Sequence, residues 1–436
     1  MDKKKKLLKR IMIICGIIII VELLLMLIMH IVRERGIDHI SNLYDVVKID
    51  DGYIGVGVSD FYDSQYVDKK LYEYMDPITH DKSNVIAAQS RLVKFDNDMN
   101  VVWEKTYDCD YDSTYYGVLP VDDGYIVVGS YISKYSQIDA KTRDAVIVKY
   151  DSNGKVEWSD TYSVLSDTEY YKIIDDGDGN YVVIGQSIYE NMEMGSHITG
   201  GGIIVRYNSK GEMIAHNNFG GNKSGIFNDI IKVSDGYIVC GKDAANYGIL
   251  VKFQKDFDRD EKDLNIITKK IVWQRTYSNT DTVGFEGMTL VGDKIYCVGA
   301  INVSNEKDEN GQTIFKYDAG MVVYNTSGKY ISKSSLGDDI HKRFTSVVSD
   351  GEYLYITGLD KVDEDYRDSM IYKYDLEGKL VKKIDYTGDK NDILSKVIKI
   401  NDQYLVIGTS NSSCGILGCE YNDIMDFYNS ELKTIK

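Results

Sequence analysis

The sequence predicts an all-β fold: a seven-bladed β-propeller of four-stranded antiparallel blades, preceded by one N-terminal transmembrane helix. Three observations predict it. A hydrophobic strand closed by glycine recurs seven times, ending at Gly57, Gly129, Gly185, Gly241, Gly299, Gly358 and Gly408, in a phrase close to Asp-Gly-Tyr-Ile-Val-Val-Gly. Trp103, Trp158 and Trp273 are each followed three residues later by Thr-Tyr, at 106–107, 161–162 and 276–277. The chain has 2 prolines against 36 tyrosines, the balance of a protein built almost wholly of strands. The glycines lie 50 to 72 residues apart. That period suits four-stranded blades of at least about 40 residues and is too long for solenoid coils of about 20 to 30.

The second repeat shows the unit. Strand A runs from Tyr116 to Val121, breaks at Asp122-Asp123-Gly124, and strand B resumes at Tyr125-Ile126-Val127-Val128. Asp-Gly between two β-rich runs predicts a type I′ hairpin with positive φ at its centre. Strand C is Ala145 to Tyr150, and the turn Asp151-Ser152-Asn153-Gly154 leads into strand D at Lys155-Val156-Glu157-Trp158. Strands B and C are nearly continuous apolar runs, as needed when both faces are covered by neighbouring blades. The blades are expected at about 43–107, 114–162, 168–216, 225–277, 283–333, 342–385 and 391–436. No strand is visibly split between the chain ends, so the ring is expected to close by packing alone.

From about residue 43 to 436 the repeats resemble the quinoprotein-dehydrogenase-like, PQQ-type propeller repeats. The shared parts are Ile126 to Gly129 and Val146 to Trp158, in the same order. The resemblance implies the propeller fold. The match is partial: Tyr150 and Phe95 stand where that family has Leu-Asp, tryptophan is missing from blades 3, 5, 6 and 7, and no quinone-binding residue maps onto this chain.

Ile11 to Val32 is one almost wholly apolar segment, about 33 Å long as a helix and enough to span the hydrocarbon core. Lys3, Lys4, Lys5, Lys6, Lys9 and Arg10 precede it, and only Arg33 and Arg35 follow before Glu34 is counted. The charge bias predicts a cytoplasmic tail over 1–10, a single-pass anchor over 11–32, a linker over 33–42 and an extracytoplasmic propeller of bacterial type in the cell membrane. The apolar stretch is too long for a cleaved signal peptide and has no small-x-small site after it. Glu22 sits mid-segment, either as a tolerated carboxyl or as a partner for another membrane helix.

The formal net charge is −17. Because the N-terminal segment is basic, the outer part is more acidic still, which excludes nucleic acid as a natural partner. Six cysteines in 436 residues make no disulfide framework. Cys240 and Cys297 fall within strand B and read as small core hydrophobes. Cys414 and Cys419 bracket Gly-Ile-Leu-Gly and either close a local disulfide outside the cell or stay reduced.

A–B and C–D links are short turns, whereas B–C and D–A links are long, and the long ones share one face. Function is expected there. The candidate residues are Phe61, Tyr62, Tyr66, Tyr72 and Tyr74 in the first B–C loop, with Tyr115, Tyr116, Tyr131 and Tyr135 of blade 2. Tyrosine gives rigid stacking area for sugars or proteins; the alternative is that these rings pack the loops onto the propeller itself. No His-x-x-x-His pair, Gly-x-Ser-x-Gly elbow or phosphate loop occurs, so no metal, cofactor or catalytic residue is assigned. Asp256, Asp258 and Asp260 begin like a calcium loop, but Glu261 and Ile267 break the pattern. The expected role is a non-enzymatic scaffold binding a protein or a cell-envelope glycan. The alternatives are a glycan hydrolase or lyase using acidic loop residues, or an assembly subunit docking through its anchor.

Overall fold

A computed structural model describes residues 41–59, 72–75, 82–85, 89–107, 109, 112–132, 143–163, 167–191, 197–219, 225–243, 245–257, 270–277, 283–307, 313–336, 342–361, 367–386, 392–410 and 422–435. The expected membrane segment, with Ile11, Glu22 and Val32, lies outside them. Among the described residues no helix is long and apolar enough to cross a membrane.

Strands gather into seven four-stranded antiparallel sheets, each in chain order. Blade 1 holds β1 (Ser41–Ile49), β2 (Gly52–Ser59), β5 (Gln89–Phe95) and β6 (Val101–Lys105), with a side hairpin of β3 (Tyr72–Met75) and β4 (Lys82–Val85). Blade 2 holds β7 (Ser113–Val121), β8 (Gly124–Ile132), β9 (Arg143–Asp151) and β10 (Val156–Tyr162). Blade 3 holds β11 (Asp167–Gly177), β12 (Asn180–Asn191), β13 (His197–Tyr207) and β14 (Met213–Phe219). Blade 4 holds β15 (Gly225–Val233), β16 (Gly236–Asp243), β17 (Gly248–Gln254) and β18 (Ile271–Tyr277). Blade 5 holds β19 (Val283–Val291), β20 (Lys294–Lys307), β21 (Thr313–Asn325) and β22 (Tyr330–Ser335). Blade 6 holds β23 (Lys342–Ser349), β24 (Tyr353–Lys361), β25 (Arg367–Asp375) and β26 (Leu380–Tyr386). Blade 7 holds β27 (Asp392–Ile400), β28 (Gln403–Ser410), β29 (Asn422–Asn429) and β30 (Thr434–Ile435).

The first strand of each blade touches the first strands of its neighbours, so these seven line the axis and the fourth strands form the outer wall. Strand alternation then sets the core. Ile126 and Val128 of β8 enter the cluster shared with blade 3, whereas Tyr125 and Val127 enter the one shared with blade 1. Seven such clusters fill the seven gaps between blades. The seventh joins Leu43, Val46, Val93 and Phe95 of blade 1 to Ile400, Leu405 and Ile407 of blade 7. Both end blades keep all four strands from their own stretch of chain, so the wheel closes by packing, as expected. Polar contacts reinforce the seam: Ser395 donates to the Leu43 carbonyl at 2.9 Å, Thr409 to the Ser41 carbonyl at 2.7 Å, and Ser41 to Asp423 at 2.8 Å.

The hairpins correct one expectation. Asp122 and Asp123 do not have positive φ, so the Asp-Gly signal does not mark a type I′ turn in blade 2. Gly124 is instead the first residue of strand B, and it is glycine for lack of room: a Cβ there would lie 2.0 Å from the Tyr150 carbonyl oxygen. In blade 2 the positive φ falls in the C–D turn, whereas the A–B turns of blades 3, 5, 6 and 7 carry it at Gly177, Asp178, Gly179, Gly292, Gly351 and Asn401. Asp151 accepts the amides of Asn153 and Lys155 at 2.8 and 2.9 Å, and Gly154 follows at φ 77°. Asn208, Asn325 and Asp375 repeat this with Gly211, Gly328 and Gly378. Three of these glycines lie against the tryptophan of the preceding Trp-bearing blade, Gly154 on Trp103, Gly211 on Trp158 and Gly328 on Trp273.

The seven strand-closing glycines have their own reason. In every blade the pairing of strands A and B slips by one residue beside the glycine, after Leu43, Tyr115, Tyr170, Phe227, Phe285, Phe344 and Leu394. The inner strand therefore carries a β-bulge in all seven blades. Opposite it the backbones come so close that a Cβ at Gly57, Gly129, Gly185, Gly241, Gly299 or Gly408 would meet a carbonyl oxygen of strand A at 1.8 to 2.3 Å. At Gly358 the distance is 3.0 Å.

Candidate functional site

The repeated bulge sets what faces the axis. The bulged residues are Tyr44, Tyr116, Tyr171, Asn228, Glu286, Thr345 and Ser395. On blades 1 to 3 the three tyrosines form a continuous wall, Tyr44 to Tyr116 at 5.3 Å and Tyr116 to Tyr171 at 5.2 Å between ring centres. Burial pushes the Tyr116 and Tyr171 hydroxyls up, with the Glu169 charge adding to it, so both stay neutral hydrogen-bonding groups. Glu169, from the same inner strand as Tyr171, is buried and accepts from the Tyr171 hydroxyl at 2.6 Å, Gln186 at 2.8 Å and Ser130 at 3.0 Å. Arg143 stands 3.8 Å from Glu169 and 3.7 Å from Asp112. Across the axis, Arg343 lies 3.8 Å from Glu286, and Asn228 donates to the Phe285 carbonyl at 2.8 Å.

The residue after the bulge brings charge to the axis in four blades: Asp45, Lys172, Asp229 and Lys396. They form two equivalent pairs, each a lysine reaching the aspartate of the next blade. Lys172 meets Asp229 at 3.3 Å, and Lys396 bonds Asp45. Each aspartate also ties two inner strands together. Asp45 accepts the Val46 amide at 3.0 Å and the Val118 amide at 3.4 Å, while Asp229 accepts Ile230 at 2.9 Å and Met288 at 3.0 Å. Lys172 also interacts with Asp45 and Lys396 across the axis. Asp229 therefore holds the Lys172 ammonium above its usual range. Burial, with Lys172 nearby, pushes Lys396 down despite Asp45.

A third polar row lies at the loop end of blade 6. Lys342, Asp360 and Asp368 stand directly opposite one another on β23, β24 and β25. Lys342 serves Asp360 at 3.3 Å. Burial raises the Asp368 carboxyl, and Asp392, Asp360 and Asp385 push it further up. A carboxyl whose folded pKa lies above its unfolded one binds more protons when folded, so stability falls as pH rises from about 3.8 through the folded value. Asp368→Asn is expected to stabilise the protein at pH 7 by about 1 kcal/mol and to flatten that fall, read from urea unfolding at pH 4 and pH 7.

The expected site residues separate. Tyr116 lines the axis. Its neighbour Tyr115 is fully buried between blades 1 and 2, with its hydroxyl 2.7 Å from that of Tyr150, so it is a core residue and not part of an open face. Tyr131 is half-buried beside Tyr107, 5.6 Å away. Tyr72 and Tyr74 lie on β3. Phe61, Tyr62, Tyr66, Tyr135, Cys414 and Cys419 lie outside the described residues. Cys240 and Cys297 are fully buried, and burial holds both thiols well above their usual range. Asp176 of the acidic 175–179 turn is engaged by Arg206 at 2.9 Å and by the Tyr237 hydroxyl. Among the described residues, no three His, Cys, Asp or Glu side chains gather in a way that would hold a metal ion. The axial charges and Glu169 escaped the sequence reading, although a signal exists: Asp45, Asp229 and Lys396 each stand twelve residues before a strand-closing glycine, and Lys172 thirteen.

No protein-family model and no curated protein matches the sequence. Solved structures do match. The "putative 6-phosphogluconolactonase" of Bacteroides fragilis aligns over 90% of this chain and 96% of its own, with 13% identity and a TM-score of 0.48. The protein of the same description from Bacteroides uniformis aligns over 85% and 96%, with 11% identity and a TM-score of 0.41. Chaetomium thermophilum Raptor aligns over 80% of this chain and 27% of its own, with 7% identity and a TM-score of 0.42. At such identities and scores the likenesses carry no statement about activity.

Proposed function

We propose that the protein is a non-enzymatic binding scaffold, anchored in the cell membrane with its propeller outside, and that it holds a cell-envelope glycan at the loop end of its axis. The observation that carries this reading is the Tyr44–Tyr116–Tyr171 wall beside the Glu169–Arg143–Gln186 network. Pyranose rings offer apolar faces for stacking and hydroxyls for pairing with fixed carboxylate, amide and guanidinium groups, and this wall presents both. The kinship with quinoprotein-type repeats belongs to this proposal too; the glycine-to-tryptophan phrase of strands C and D supports it.

A second reading, an assembly subunit of a membrane complex, draws on the direction of β1. Strand A starts on the face where the long loops open. An anchor ending at Val32 leaves residues 33–40 as the tether, at most about 28 Å when extended, which would hold that face near the bilayer.

Full-length protein in nanodiscs, titrated with fragments of cell-wall polysaccharide, tests the first reading. Binding, measured well below each variant's melting temperature, is expected to weaken at least tenfold in Tyr116→Ala and in Glu169→Gln. Unchanged affinity in both variants would refute the site. Release of cleaved product, lost in Glu169→Gln, would replace the scaffold with a hydrolase or lyase. Co-purification of a membrane protein, abolished by Glu22→Leu, would favour the assembly subunit.

A further inference from the structure

We propose a second binding site, for an acidic sugar, in the outer wall between blades 4 and 5. A depression of about 530 Å³ opens there, lined by β18 on one side and the C–D hairpin of blade 5 on the other. Its volume falls within the range of small-molecule sites, about 300 to 1,000 Å³.

The sequence builds this depression by alternation. Along β18, Trp273, Arg275 and Tyr277 are the inward set, between the exposed Val272, Gln274 and Thr276. Gly328 lies against the Trp273 ring. Arg275 is then fixed at three points: it lies 5.4 Å over the Trp273 ring, its Nε donates to the Gly328 carbonyl at 2.6 Å, and its Nη1 donates to the Gln274 carbonyl at 2.6 Å. These contacts leave Nη2 without a partner among the described residues. Lys329 follows in the same hairpin, and its ammonium has no ion pair among the described residues. Tyr330 is 47% exposed and meets buried Tyr324 edge-on at 6.0 Å. Two cations and an open tyrosine face thus converge in a concavity on a protein of net charge −17.

The equivalent gap two places earlier in the wheel isolates the charge. Between blades 2 and 3 the scaffold repeats, with Trp158 against Gly211 and with Tyr162 and Tyr207 in place of Tyr277 and Tyr324. There Asp160 replaces Arg275, Glu212 replaces Lys329 and Met213 replaces Tyr330. The aromatic frame is structural and common to both gaps; the blade 1–2 gap also carries Lys105 and Lys155 at the cation positions but Val156 in place of Tyr330, so it is the exposed ring beside the two cations that sets the blade 4–5 gap apart. A carboxylate held by Arg275 and Lys329, with its ring laid on Tyr330, uses all three. A uronic acid within a polysaccharide has that chemistry.

The test uses full-length protein in nanodiscs and three probes: trigalacturonate, a neutral galactose trisaccharide and inorganic phosphate. Trigalacturonate is expected to bind, more weakly as salt rises, and at least tenfold more tightly than the neutral trisaccharide. Arg275→Gln should lower its affinity at least tenfold, and Lys329→Gln and Tyr330→Ala severalfold each. The last two residues are exposed enough to change without loss of fold. Tyr116→Ala should leave this binding intact, which separates the site from the axial one. Equal binding of the neutral sugar, phosphate binding as tight as trigalacturonate, no binding at millimolar probe, or unchanged affinity in all three variants would overturn the proposal.

Discussion

Gly241→Ala is expected to destabilise the propeller by about 3 kcal/mol or more, and Gly358→Ala by about 1 kcal/mol, although the two glycines occupy the same place in the repeat. Neither has positive φ, so backbone freedom does not separate them. Space does. The new Cβ at 241 would lie 1.8 Å from the Ile226 carbonyl oxygen, and the obstacle is backbone held in the β15–β16 ladder. Strands A and B would have to part by more than 1 Å, which opens the bulge and shifts Asp229 on the axis. At 358 the nearest atom is the Arg343 carbonyl oxygen at 3.0 Å, followed by Phe344 and Tyr372 side chains that can give way. Urea unfolding of the two variants decides the matter. Equal losses would mean that the glycine is kept for flexibility and not for the close approach.

That glycine also marks how far the sequence could be read. Its seven recurrences locate every strand B and, through it, the blades, because a rule imposed by backbone contact survives wide variation in the rest of the repeat. Its physical role was not legible, since a bulge leaves no trace in an alternating pattern. The consequence is visible at Tyr115 and Tyr116. Both are tyrosines of one strand, yet Tyr115 is fully buried between blades and Tyr116 lines the axis, and the extra residue decides which is which. The axial charges escaped for another reason. Lys396 and Asp45 stand 351 residues apart, and only ring closure brings them together. The depression at Arg275 was hidden in the same way, because the outer strand of blade 4 forms it with the hairpin of blade 5.

The two halves of one axial pair should differ sharply when each is removed. Asp45→Ala is expected to cost about 3 to 5 kcal/mol, and Lys396→Met about 1 kcal/mol or less. Removing Asp45 deprives the Val46 and Val118 amides of their acceptor and leaves Lys396 facing Lys172 with only the weaker attraction of Asp229, which Lys172 already engages. Removing Lys396 leaves Asp45 still bonded to both amides and still attracted by Lys172. The pH dependence has a definite sign. Lys396 already has its ammonium pushed below the ordinary lysine value, by burial first and by Lys172. Without Asp45 it falls further, so the unfolded chain binds more protons than the folded one between that lowered value and about 10.4. Stability of Asp45→Ala should therefore recover as pH rises from 7 toward 9.5, while Lys396→Met, lacking the titrating group, shows no such recovery. Unfolding midpoints of both variants at the two pH values read the effect. Equal costs at pH 7, or a loss in Asp45→Ala that does not shrink with pH, would show that the aspartate is not the group that clamps the inner strands and neutralises the axis.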